Sequence, residues 1–197
     1  MISIMKKNVL LSGGTGFIGK RLTDVFIQKG FSVSILSRSD KKNTADISYY
    51  KWDVSEQFIE EAAVLNADYI IHLAGENIAD KRWTSERKAA IIDSRVQSIQ
   101  LIQSVLKNNN KKLDAFVSAS GIGIYGALNG EDICFENTPA AIDFLGTVCQ
   151  KWESAADTIT ALNIRTVKVR TGLVLGKNDG FLNKLNKRHN KVNEQSE

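Results

Sequence analysis

Three observations predict an α/β fold in which helices cover a parallel sheet. Apolar, β-branched runs alternate with amphipathic stretches of helical period from residue 9 to residue 170. The first of these runs opens directly into a glycine-rich loop, "SGGTGFIG" (12–19). No internal repeat or low-complexity segment interrupts the alternation. Strands alternating with helices at this spacing are βαβ units, wound right-handed into a parallel sheet. The expectation is a Rossmann-type doubly wound sheet, in a domain spanning 1–182, followed by a polar tail at 183–197.

The elements follow in order. Val9–Leu11 reads as a short buried strand, and a helix continues through Lys20–Gln28 with Ile18, Leu22, Val25 and Phe26 on one face. Gly30 ends it as a glycine just past a helix does. "FSVSIL" (31–36) and "ISYYKW" (47–52) are the second and third strands. "SEQFIEEAAVL" (55–65) opens on a serine and is acidic in its first half, which predicts a capped helix. "DYIIHLAG" (68–75) is the fourth strand. A long helix covers 84–107, with Ile92, Val96, Ile99, Ile102 and Leu106 spaced by three and four. After the polar turn "NNNKKLD" (108–114) come a fifth strand, "AFVSAS" (115–120), a helix over 145–161 and a sixth strand, "IRTVKVR" (164–170). The final "NKLNKRHNKVNEQSE" (183–197) has almost no apolar periodicity and reads as a frayed tail.

Composition narrows the function. The 197 residues fit one domain with a substantial core, 43% hydrophobic and 24% charged. The formal charge of +4 owes much to Lys184, Lys187, Arg188 and Lys191 in the tail, so it does not argue for nucleic acid. No run of about 18 apolar residues suggests a membrane span. "MISIMKKNVLL" has the outward look of a signal peptide, but its apolar run breaks at once into "SGGTG". Cys134 and Cys149 show neither metal-ligand spacing nor a disulfide framework, which suits a reducing cytoplasm.

The glycine loop is the sharpest local signal. Gly13, Gly16 and Gly19 follow a strand and open a helix inside a βαβ unit, the context a dinucleotide fingerprint needs. One glycine makes the tight turn, another lets the backbone approach a pyrophosphate, and the third lets helix and strand pack closely. The helix N-terminus supplies bare N–H groups and the positive end of its dipole. The bland alternative is a glycine-rich turn that binds nothing. At the end of the second strand, where Asp or Glu would hold a ribose 2′-hydroxyl, the chain has Leu36, Ser37 and Arg38. An arginine there pairs with a 2′-phosphate and stacks on adenine, which favours NADP over NAD. Asp40 remains able to serve a ribose, and the bland alternative for Arg38 is a solvated arginine in a polar turn.

Six ordered blocks, "SGGTGFIG", "HLAGENIADKRWTSERK", "DSRVQS", "FVSASGIGIYG", "VCQKWE" and "VRTGLVLGK", together resemble the extended short-chain dehydrogenase/reductases. More narrowly they resemble an atypical branch of NAD-dependent epimerase/dehydratase-like proteins of unknown substrate. The resemblance implies that Gly13, Thr15, Gly16, Phe17, Ile18 and Gly19 hold the pyrophosphate, with Ser37 and Arg38 at the adenosine. It implies that Asp53 and Val54 contact adenine, although a surface acid ahead of a helix is an equal alternative. It places Leu73, Ala74, Gly75 and Glu76 along the cofactor. His72, in an apolar strand, reads as a core histidine, and Trp83 as either a wall of the site or a staple on the long helix.

Catalysis in that superfamily uses Ser or Thr, Tyr and Lys, the tyrosine exchanging a proton while hydride passes to or from the nicotinamide. Ser120 matches the serine. The expected Tyr-x-x-x-Lys falls near residue 145, where the chain reads Phe144-Leu-Gly-Thr-Val148. Lys151 lies three residues further on, and Tyr125 is the nearest remaining tyrosine, with packing its simpler role. The family continues well beyond "VLGK" with a smaller region that closes over substrate, and that region is largely missing here. The sequence therefore leaves two readings. One is an NADP-dependent oxidoreductase or epimerase-like protein acting on a sugar nucleotide or similar hydroxyl-bearing metabolite, with weak or absent turnover. The other is a non-catalytic nucleotide- or partner-binding module. By analogy, the helix at 84–107 could pack against a second copy in a homodimer.

Overall fold

The computed structural model describes residues 6–127 and 131–176; the tail at 183–197 lies outside them. Seven strands and four helices follow in chain order: β1 (Asn8–Ser12), α1 (Phe17–Gln28), β2 (Ser32–Ser37), β3 (Ile47–Asp53), β4 (Phe58–Ile59), α2 (Glu61–Leu65), β5 (Tyr69–His72), α3 (Ser85–Asn108), β6 (Ala115–Gly121), α4 (Phe144–Thr160) and β7 (Thr166–Thr171). A 3₁₀ turn over Ile122–Tyr125 links β6 to the segment before α4. Among the described residues no helix is long and apolar enough to cross a membrane.

The sheet order is β4-β3-β2-β1-β5-β6-β7, parallel throughout except for β4. The chain moves outward from β1 to β3, then crosses back to the other side of β1. This is the doubly wound, Rossmann-type arrangement the alternation predicted, and its switch point lies between β1 and β5. Successive residues of a strand face opposite sides. Accordingly Leu10 joins the core beneath α2, α3 and α4, whereas Val9 and Leu11 join Val33 and Ile35 against Phe26 and Ile27 of α1. Leu10, Ile70 and Phe116 stand in register across β1, β5 and β6 and are fully buried. Truncating any of them to alanine should cost about 2–5 kcal/mol.

Two expected helices differ in detail. In place of a helix over 55–65, a turn after Asp53 leads into β4, which pairs Trp52 with Ile59 and Asp53 with Phe58, and α2 starts only at Glu61. Ser55 is no N-cap: its backbone N–H and hydroxyl both donate to Asp53 Oδ1. A buried Trp52–Ile59 contact in a β-ladder has outcompeted an intrinsically helical segment. In α3, Ile99, Ile102 and Leu106 are buried as their spacing predicts, Ile92 and Val96 are only half-buried, and Ile91, Arg95, Ser98, Leu101 and Val105 complete the buried face. The apolar count missed Arg95 and Ser98 because they are polar.

Candidate cofactor cleft and substrate side

A cleft of about 720 Å³ opens at the carboxyl ends of the strands, over the switch point. Its floor is the loop between β1 and α1. Gly13 adopts φ 72°, a left-handed conformation natural to glycine, and a Cβ there would stand 3.0 Å from the Leu73 carbonyl carbon. Gly19, one turn into α1, is tighter still: a Cβ would meet Gly13 O at 2.3 Å and Gly14 Cα at 2.5 Å. The glycines thus bring α1, its own loop and the exit of β5 into backbone contact. Gly16 is the N-cap and has no side chain to offer, and no acidic residue sits in the first turn. By contrast Thr84 caps α3 by accepting from Arg87 N, and Asp143 caps α4 by accepting from Gly146 N. The opening N–H groups of α1 have no side-chain acceptor, which is what an anion at that helix end requires. Thr15 and Gly16 line the cleft, while Phe17 and Ile18 hold the first helical positions with exposed side chains.

At one end of the cleft lie Leu36, Ser37, Arg38, Trp52, Asp53, Val54 and Ser55. Ser37 is buried and its hydroxyl donates to Ser39 O at 2.8 Å, which fixes the turn that carries the exposed Arg38. The Ser55 hydroxyl and the turn's N–H groups hold the Asp53 carboxyl below its ordinary range, with the Arg38 charge adding to the effect. Asp53 therefore shapes the turn as well as lining the cleft.

At the other end, Leu73, Ala74, Gly75 and Glu76 leave β5 alongside Arg87, Ser94 and Gln97 of α3. Arg87 Nη1 donates to Glu76 Oε2 at 2.8 Å, and this bond is the main cause of the lowered Glu76 pKa. Behind them Arg95 is only 6% exposed. It donates to Ile91 O and Glu76 O and lies over the Trp152 ring. Burial pulls its pKa down to about 10. His72 is the core histidine the sequence suggested. It is fully buried, 2.7 Å from Ser98 Oγ, and burial with the nearby Arg95 charge pushes its pKa down to about 3.

The edge of the sheet around β6 and α4 is organised by Glu153 and Arg170, which join Ser120 and Tyr125. The Ser120 hydroxyl is buried and donates to Glu153 Oε1 at 2.7 Å. Arg170, from β7, grips the same carboxylate with two bonds of 2.8 Å, and its Nη1 donates to the Tyr125 hydroxyl at 2.8 Å. Tyr125 in turn donates to Phe135 O at 3.1 Å. Burial works to raise the Glu153 pKa, but Arg170 and Ser120 outweigh it and the net shift is downward. Lys151 is not part of this chain. It lies on the exposed face of α4, half a turn from the face that carries Cys149 and Glu153. Leu145 and Cys149 of α4 approach the end of β6 and the turn that follows it. A Cβ on Gly123 would lie 3.4 Å from Leu145 Cβ, and one on Gly121 3.7 Å from Cys149 Sγ. Burial pushes the Cys149 thiol up. The missed pair, Glu153 and Arg170, was visible only as the last residue of "VCQKWE" and the second of "VRTGLVLGK".

The comparisons with known proteins agree with this architecture. The NAD dependent epimerase/dehydratase family matches residues 9–184. The epimerase family protein YfhF of Bacillus subtilis is 34% identical over 170 residues, covering 86% of this chain and 55% of that protein. Among solved structures, the nucleoside-diphosphate sugar epimerase from Corynebacterium glutamicum superposes with a TM-score of 0.76 at 28% identity, covering 92% of this chain and 37% of that one. The human epimerase family protein SDR39U1 (isoform2), solved with NADPH, gives 0.72 at 30% identity, covering 90% of this chain and 58% of that one. The chain spans just over half the length of the curated relatives it matches.

Proposed function

Because the chain belongs to the NAD dependent epimerase/dehydratase family, we propose that its cleft holds a nicotinamide dinucleotide, NADP in preference to NAD. The observation that carries this reading is the uncapped, glycine-led N-terminus of α1 beneath a cleft of about 720 Å³. The first-turn N–H groups of α1, with Thr15 and Gly16, would hold the pyrophosphate. Arg38 would take a 2′-phosphate, while Ser37, Asp53 and Val54 surround the adenosine and Leu73–Glu76 lie along the remainder. SDR39U1 was solved with NADPH, which supports the phosphate-bearing form. A bound nicotinamide supplies hydride transfer.

The substrate would be a hydroxyl-bearing metabolite, such as the sugar of a nucleoside-diphosphate sugar. Ser120 is the residue to hold its oxygen. Turnover is expected to be weak or absent in this chain, because Phe144 and Val148 stand where the family's tyrosine and lysine are expected and Lys151 lies on the exposed face of α4. The Tyr125 hydroxyl is also engaged on both sides, by Arg170 and by Phe135 O. The same two observations favour a second reading, a binding module that keeps the cofactor fold without chemistry. Calorimetric titration of the purified chain with NADPH and then NADH tests the proposal. Tighter binding of NADPH is the expected result; no heat and no rise in melting temperature with either coenzyme overturns it. Robust NADPH oxidation with a sugar nucleotide, abolished by Ser120→Ala, would overturn the low-turnover part.

A further inference from the structure

An arginine is seldom buried without a carboxylate beside it. Arg95 of α3 is only 6% exposed, yet it belongs to none of the ion pairs among the described residues. Dipoles and a ring hold it instead. Nη1 donates to Ile91 O at 2.8 Å, Nη2 donates to Glu76 O at 3.1 Å, and Cζ lies 4.9 Å from the centre of the Trp152 ring. Its Nε is buried and meets no acceptor.

The titratable groups around it do not cancel this charge. Glu76, whose field reaches Arg95, is itself paired with Arg87 at 2.8 Å. Glu153 is paired with Arg170 at 2.8 Å. Burial pushes both His72 and Cys149 towards their neutral forms. The interior behind β5 therefore keeps one uncompensated positive charge.

Gly75 brings that charge to the wall of the cleft. A Cβ on Gly75 would stand 2.8 Å from Arg95 Cζ and 3.0 Å from Nη1, so the guanidinium fills the place of a side chain. Gly75 and Glu76 also line the cleft. The main chain of β5's exit is thus the partition between the cation and the ligand space. A charge placed this way is screened little by salt, unlike that of the exposed Arg38.

The two redox forms of a nicotinamide dinucleotide carry the same phosphates but differ at the ring, which is cationic when oxidised and neutral when reduced. From the buried, unpaired guanidinium behind Gly75 we infer that Arg95 sets the cleft's preference between these forms, favouring the reduced coenzyme. The inference rests on the reading of the cleft as a dinucleotide site with Leu73–Glu76 along the nicotinamide half. Arg95 touches neither form and acts through its field alone. A purely structural role would weaken both forms alike.

The test is calorimetric titration of the full chain with NADPH and with NADP⁺, at low and at high ionic strength. NADPH should bind at least about tenfold more tightly, the scale on which one buried charge acts over roughly 10 Å of protein. The ratio should survive high salt although both affinities fall. Arg95→Met, which removes the charge and keeps the apolar stem, should bring the ratio close to one. Arg95→Lys, which keeps the charge, should restore most of it. Equal affinity for the two forms in the unaltered chain overturns the inference, even where the variants do not fold. So does a ratio that collapses in high salt, which would assign the preference to exposed charges, or one unchanged in a folded Arg95→Met. Failure of both forms to bind would instead remove the cofactor reading, and this inference with it.

Discussion

The two ends of the sheet's ligand edge are built from different materials. Around α1 the wall is backbone: glycines that permit contact, N–H groups left open, and a helix start without a cap. Around β6 and α4 the wall is side chain: a serine, a glutamate, an arginine and a tyrosine joined from four separate elements by bonds of 2.7 to 2.8 Å. Backbone walls depend on what is absent at each position, so one substitution can fill them. Side-chain walls depend on partners far apart in sequence, so one substitution strands the others. The two ends should therefore fail differently.

The largest effect is expected at the backbone end. Gly19→Ala places a methyl group 2.3 Å from Gly13 O and 2.5 Å from Gly14 Cα, and neither backbone atom can yield without opening the loop. Binding of NADPH should fall by at least about a hundredfold, near 3 kcal/mol, with a lowered melting temperature. A variant that melts lower but binds normally would mean the loop serves packing alone.

Between the two ends sits His72, and its burial makes a pH prediction. Its folded pKa of about 3 lies below the ordinary histidine value. The unfolded chain therefore takes up the proton first as pH falls, and stability is lost progressively from about pH 6.5 down to about pH 3. The total is on the order of 5 kcal/mol for this one proton. Melting curves between pH 7 and pH 4 should show the slope, and His72→Gln should flatten it. An unchanged slope would assign the acid sensitivity elsewhere. Glu153 acts in the same direction over a more acidic window, because its lowered pKa confers stability that disappears as the carboxylate protonates.

At the side-chain end, Glu153→Ala leaves Arg170 facing a buried space and Ser120 without an acceptor. The expected cost is about 2–3 kcal/mol, somewhat below that of breaking a fully buried pair because the Arg170 side chain is 19% exposed. NADPH affinity should change little, measured by the same titration. A parallel loss of cofactor binding would show that the two ends act as one unit.

The contrast also explains what the sequence could reveal. Gly13, Gly16 and Gly19 are neighbours in the chain, so their spacing announces the tight loop between β1 and α1 before any fold is known. Glu153 and Arg170 are 17 residues apart, on different elements, and only the folded sheet brings them to Ser120. The same limit left the buried face of α3 only partly read, because it includes Arg95 and Ser98 beside Ile99, Ile102 and Leu106. It also misplaced α2, where the long-range pairing of Trp52 with Ile59 overrides local helix signals. Lys151 looked available because the sequence does not say which side of α4 faces the site; its neighbours Trp152 and Glu153 are buried while it is exposed.

The smallest effect is the most diagnostic of ligand identity. Arg38 is exposed at the end of β2 and lines the cleft, held there by a turn that Ser37 fixes from below. If the guanidinium takes a 2′-phosphate, Arg38→Ala removes a charge-assisted contact made only to NADP. NADPH affinity should then fall about tenfold, or 1.4 kcal/mol, while NADH affinity stays nearly constant. Equal losses for both coenzymes would mean the arginine stacks on adenine without reading the phosphate. No loss for either would move the choice of coenzyme to Asp53 or Asp40. Because the residue is solvent-exposed, stability should be unaffected, and the salt dependence of NADPH binding should weaken in step with the lost charge.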